Sequence, residues 1–170
     1  MMNKRLKPIL GSFIFAPLCL AACALNEGDS MPEFGNDTPR ELNTVRTGLD
    51  GTVSAIQESL RAIDPNGQLK FDGESFSAYC GDQDHAEWQT YTTQGLVFRS
   101  EAPAGELGKT NATFDNLLNS RGFGNRVNLP SADGESYWEA YNDFGDKISI
   151  YIHSDDVRVG GFASCFPAIG

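Results

Sequence analysis

A chain of 170 residues with a formal charge of −10, 40% hydrophobic and 21% charged residues has the composition of one compact globular domain, not of a disordered polymer. Lys4, Arg5 and Lys7 are three of only 13 basic residues and all precede residue 23, so the remainder is more acidic still. Such a surface repels phosphate backbones and anionic headgroups, which argues against nucleic acid as a partner and against direct electrostatic attachment to membranes.

The first 22 residues have the order of an export signal: the basic start Lys4-Arg5-Lys7, an apolar run from Ile9 to Leu20, then Ala21-Ala22. That run is about 13 residues, short of the roughly 20 needed to span a bilayer, and Pro17 interrupts it. Leu20-Ala21-Ala22-Cys23 resembles the bacterial lipobox, in which the cysteine is acylated and the peptide in front of it is removed. The resemblance implies cleavage after Ala22, a lipid such as palmitate on Cys23, and a place at the cell membrane on its extracytoplasmic side. Several acyl chains together anchor a protein durably, at about 0.8 kcal/mol per buried methylene. The alternative is a plain secretory signal that leaves Cys23 free. From 23 to 40 the chain is polar and broken by Gly28, Pro32, Gly35 and Pro39, the composition of a flexible linker, in which Met31 and Phe34 are isolated apolar residues.

A single α+β globular domain is expected from 41 to 170. Leu42, Val45, Leu49, Val53, Ile56, Leu60 and Ile63 recur at helical spacing, and Asp64-Pro65-Asn66-Gly67 ends the helix. Gly48 and Gly51 weaken its first half by about 1 kcal/mol each relative to alanine. Strands are expected at 68–71 and 75–80, then one strand or a pair between Trp88 and Arg99. A second helix is expected from Asn111 to Arg121, closed by Gly122, with an earlier start near Ala104 left open by Gly105 and Gly108. The last third reads as a three-stranded meander at 137–141, 147–153 and 157–165. Ile148, Ile150 and Ile152 face the core there, and Gly160-Gly161 is expected to form a bulge. Helix, strands, helix, strands in that order gives an antiparallel sheet of about five to six strands with two helices packed on one face.

Of four cysteines, Cys19 leaves with the signal and Cys23 takes the lipid, so Cys80 and Cys165 remain as an even pair in an oxidising compartment and are expected to form a disulfide.

Catalytic signatures fail on particular residues. Gly108-Lys109-Thr110 has Pro103 where a phosphate loop needs its first glycine, and the only histidines are His85 and His153, so no cofactor is expected. Asp82, Asp84, His85 and Glu87 form a ligand-like acidic turn at a spacing that matches no defined cation loop, and Asp143, Asp146, Asp155 and Asp156 are expected at hairpin ends; solvated acidic turns account for both. More informative is the solvent side of the meander, where Tyr137, Glu139 and Tyr141 neighbour Ser149, Tyr151 and His153. Tyrosines among polar partners can stack on sugars or peptides, so Tyr137, Tyr141, Tyr151 and His153 form the candidate binding face, against the plainer reading that tyrosine suits exposed strands. Trp88 and Trp138 are expected in the core.

Lipobox, amphipathic helix, Cys80 after a short strand, Arg121-Gly122-Phe123, Asp143-Phe144-Gly145 and the closing Phe162-Ala163-Ser164-Cys165 together resemble actinobacterial LppA-like lipoproteins, from about Val45 to Pro167. The resemblance implies a cell-surface lipoprotein with a paired cysteine bridge and no assigned enzymatic activity, though the four helix glycines depart from its regularity. Three functions follow as expectations. The first is a non-enzymatic binding or envelope-interaction domain with an envelope protein or glycan as partner. The second is a small envelope hydrolase or carbohydrate-active enzyme using Asp82, Asp84 or Glu87. The third is an accessory subunit whose tyrosine face meets a protein.

Overall fold

The computed structural model describes residues 37–169 apart from 82 and 101–103, with side chains of the second helix from 110 onward. The expected signal peptide, Cys23, most of the linker and Asp82 therefore lie outside the described residues. In chain order the elements are β1 (Arg40–Glu41), α1 (Leu42–Ile63), β2 (Gln68–Asp72), β3 (Phe76–Tyr79), β4 (Trp88–Thr92), β5 (Gly95–Arg99), α2 (Ala104–Ser120), β6 (Asn125–Leu129), β7 (Ser136–Tyr141), β8 (Lys147–Ile152), β9 (Asp156–Phe162) and β10 (Phe166–Ile169).

The fold is α+β, but the expected sheet of five to six antiparallel strands is too small and too uniform. Among the described residues ten strands form one sheet, and the β1–β10 pair is parallel. Part of the difference is β6, whose polar Asn-Arg-Val-Asn-Leu carries little apolar signal, and β10, which contains Pro167. The rest comes from β1, at the boundary of the expected linker, and from the 88–99 segment, which breaks into β4 and β5. β2 and β3 lie in line along β5 and β4, and β9 runs along β5 before its end meets β4 at Thr92–Phe162, with β10 continuing on β4. The breaks sit side by side as a crease. Gln94 Nε2 donates to the Gly73 carbonyl at 2.9 Å, the Thr93 amide donates to the Gly161 carbonyl at 2.9 Å, and the Gly161 amide donates to Thr93 Oγ1 at 2.9 Å. Gly161 therefore makes no bulge: β8 and β9 stay in register through Ile148–Gly161 and Lys147–Phe162. Its missing side chain instead admits Thr93, whose Cγ2 would lie 2.7 Å from a Cβ there.

Helix α1 runs unbroken through Gly48 and Gly51 because its apolar stripe is buried: Val45, Leu49, Val53, Ile56 and Leu60 all face the core. Full burial of a leucine or isoleucine contributes about 1.5–3 kcal/mol, more than the helix cost of a glycine. At the end of α2, Gly122 takes φ 86°, its amide bonds the Asn119 carbonyl and the Phe123 amide bonds the Leu118 carbonyl, a left-handed cap that turns Phe123 inward. Both helices pack on the face of the sheet that carries Trp138, Ile148, Ile150, Val157, Val159 and Phe98. Trp138 is fully buried and donates its indole N–H to Asn111 Oδ1 at 3.0 Å. Trp88, expected in the core, is only half-buried and stands edge-on to His85 with centroids 4.6 Å apart.

Cys80, just after β3, is bonded to Cys165, just before β10, with Cα atoms 5.9 Å apart. The bridge ties the edge lane to the C-terminal strand.

Candidate functional site

The helix-free face of the sheet is polar, and cross-strand register assembles it. In the antiparallel ladders Tyr137 lies opposite Tyr151, Glu139 opposite Ser149, and Tyr151 opposite Arg158. Tyr137 and Tyr151 meet edge to face at 5.9 Å, and Tyr151 stacks toward His153 at 6.3 Å. With Arg99, Asp155, Asp156 and Arg158 these rings line a depression of about 720 Å³.

Carboxylates at both ends of the strands organise this face. Glu139 is 5% exposed, accepts from Lys147 Nζ at 2.7 Å and Ser149 Oγ at 2.9 Å, and receives the Tyr141 hydroxyl. Burial alone would raise its pKa, but the donors from Lys147, Tyr141 and Ser149 outweigh burial and hold the carboxyl below its usual range. The same arrangement buries Tyr141, whose hydroxyl is committed to Glu139 and whose phenol, desolvated and beside that carboxylate, is pushed up. Of the four residues expected on the binding face, Tyr137, Tyr151 and His153 therefore line the depression, whereas Tyr141 is 4% exposed and serves the Glu139 network. Period-two alternation placed it correctly on the outer face but does not report what covers that face. Lys147, stretched toward Phe162 at 5.5 Å, is part of the cover.

At the other end of the strands, Glu135 accepts from the Tyr151 hydroxyl and lies 3.0 Å from His153 Nε2, while Asp155 lies 2.9 Å from His153 Nδ1. Flanked by carboxylates on both ring nitrogens, His153 titrates above its usual value, chiefly through Asp155, with Glu135 and Asp156 adding to the field. Asp155 is correspondingly held low by that hydrogen bond. Sequence reasoning placed Asp156 only among the acids at hairpin ends and not on this face. One of its oxygens accepts from Arg158 Nη2 at 3.1 Å, but the other, Oδ1, is buried and has no hydrogen-bond partner.

The remaining expected clusters do not converge. Asp143 and Asp146 sit in the β7–β8 turn and Asp155 and Asp156 at the β8–β9 turn, and β8 separates them by its own length, roughly 20 Å. Consecutive hairpin turns lie at opposite ends of the strand they share, so these acids could not have gathered. Asp84, His85 and Glu87 are exposed between β3 and β4. Among the described residues no group of three or more His, Cys, Asp or Glu side chains is placed to hold a metal ion.

A second concavity, of about 670 Å³, opens between β1, α1 and the β7–β8 turn. At its edge Arg40 donates to Asp146 Oδ2 at 2.6 Å and to Ser164 Oγ at 3.0 Å, with side-chain exposures of 9% for Arg40 and 6% for Asp146. The guanidinium lies 4.2 Å from the Phe166 centroid and 5.0 Å from that of Phe144.

The overall fold is similar to that of solved structures of actinobacterial proteins. A DUF4853 family protein from Actinomyces odontolyticus superposes with a TM-score of 0.55 at 12% identity, over 77% of this chain and 71% of that one. LppA from Mycobacterium tuberculosis, described as a candidate lipoprotein, superposes with a TM-score of 0.55 at 15% identity, over 76% of this chain and 79% of that one. The LppA-like resemblance read from the sequence thus holds, loosely and at the level of the fold. No family profile and no curated protein sequence matches the chain.

Proposed function

We propose that this chain is an extracytoplasmic lipoprotein, held at the membrane by acyl groups on Cys23, whose domain binds an envelope glycan at the Tyr137–Tyr151 depression without transforming it. The anchor is supported by the lipobox residues Leu20-Ala21-Ala22-Cys23, by the fold shared with LppA, and by the disulfide, which suits an oxidising compartment. No helix among the described residues is long and apolar enough to cross a membrane.

The observation that carries the glycan reading is the edge-to-face pair Tyr137–Tyr151 set beside Arg99, Asp155 and Arg158 in one depression. A sugar's C–H face packs on such rings while its hydroxyls bond the flanking charged groups. A non-catalytic role is supported on this face by Glu139 and Asp155, both shifted downward, whereas a general acid in glycoside hydrolysis is shifted upward.

The test is a titration of the Cys23→Ser mature chain with soluble fragments of the host's cell-wall polysaccharide, followed by amide chemical shifts. Saturating shifts clustered at residues 137–158, with affinity reduced roughly tenfold in Tyr151→Ala (about 1.4 kcal/mol), are expected. Shifts confined to another surface, or a Tyr151→Ala protein that binds unchanged, would sink the reading.

A further inference from the structure

We infer that the cavity between α1, β1 and the β7–β8 turn is a second binding site, for an amphiphile with one apolar chain and an anionic head. It shares no lining residue with the tyrosine depression, so the two sites stand or fall separately. Its volume, about 670 Å³, is within the range of small-molecule sites. Val45, Leu49, Phe123, Phe144 and Ile169 supply apolar wall.

The charged groups at this cavity are Arg40, Arg121, Glu41 and Asp146. Arg40 is nine-tenths buried and uses both terminal nitrogens on Asp146 and Ser164, yet its Nε–H, also buried, has no acceptor. Arg121, just past the end of α2, contributes a guanidinium with no hydrogen bond or ion pair among the described residues. The carboxylates at the cavity are already engaged: Asp146 with Arg40, Asn142 and the Ser164 amide, and Glu41 with the Thr44 hydroxyl. The Arg121 guanidinium, unmatched among the described residues and beside an apolar wall, calls for an acceptor carrying negative charge, and arginine forks bind carboxylate or phosphate oxygens in pairs. The apolar wall calls for a hydrocarbon body, whose removal from water favours binding in proportion to the area covered.

Gly48 provides the decisive variant. It lines the cavity, and a Cβ built on it meets nothing within 4 Å, so the first atom of a larger side chain has room there. Gly48→Leu is therefore expected to occupy the site while favouring the helix, and unfolding in urea at the wild-type midpoint shows that lost binding is not lost folding.

The mature chain carrying Cys23→Ser is titrated calorimetrically with decanoate, decyl phosphate and 1-decanol below their micelle or solubility limits. Binding of decanoate or decyl phosphate at least tenfold tighter than decanol, lost in Gly48→Leu and weakened severalfold in Arg121→Gln, is the expected result. Decanoate alone would point to a free fatty acid as the source and decyl phosphate alone to a phosphate-headed lipid, and either supports the site. Equal binding of decanol, unchanged binding in Gly48→Leu, or no binding of any probe overturns it.

Discussion

Thr93 and Gly161 exchange two hydrogen bonds across the crease of the sheet: the Thr93 amide donates to the Gly161 carbonyl and the Gly161 amide donates to the Thr93 hydroxyl, both at 2.9 Å. The threonine side chain thus replaces the ladder bond that its own lane loses where β4 gives way to β5. Gly161→Ala would place a methyl 2.7 Å from Thr93 Cγ2 and 3.2 Å from Ile148 Cδ1. A loss of about 1–3 kcal/mol in urea unfolding is expected from this overpacking. Gly48→Ala, in open space on α1, should instead hold or raise stability, and a Gly161→Ala protein as stable as wild type would refute the close-packed crease.

Asp146 binds Arg40 from 106 residues away and also accepts from the Ser164 amide at 2.9 Å and Asn142 Nδ2 at 3.1 Å. Asp146→Ala leaves a buried guanidinium without its counter-charge, which costs on the order of 3–5 kcal/mol. The double variant Arg40→Met/Asp146→Ala should recover a good part of that loss. Equal destabilisation in the two proteins would show that the charges are not coupled.

The Cys80–Cys165 bridge closes a loop with a sequence separation of 85. Restriction of the unfolded chain by a loop of this size contributes about 4–5 kcal/mol. The Cys80→Ser/Cys165→Ser protein should therefore unfold at markedly lower urea, and dithiothreitol should bring the native protein to the same midpoint. A difference under about 1 kcal/mol would contradict the role assigned to the bridge.

His153 is held above its usual pKa by Asp155 first, with Glu135 and Asp156 in support, and burial opposes them. Because the folded value lies above the unfolded one near 6.5, this contribution to stability is complete below pH 6.5 and is lost as pH rises through the folded midpoint. A ring-proton NMR titration should show that midpoint above 6.5, and Asp155→Asn should move it down. A native midpoint at or below 6.5 would contradict the paired-carboxylate geometry.

What the amino-acid order determined by itself was whatever short-range chemistry dictates. The three-to-four spacing from Leu42 to Ile63 specified α1, alternation of Ile148, Ile150 and Ile152 specified β8, Gly122 specified the cap of α2, and the position of Cys19 and Cys23 in the lipobox-like leader left Cys80 and Cys165 as the expected pair. Such signals report which face a residue occupies. They do not report what lies over it, and so the burial of Tyr141 on Glu139, the partnerless oxygen of Asp156, and the ion pair between Arg40 and Asp146 were decided only by tertiary packing. The same holds for the crease. Where Thr93 meets Gly161, one lane breaks because another approaches closely enough to bond it, and that distance is set by strands 68 residues apart in sequence, not by the residues at the break.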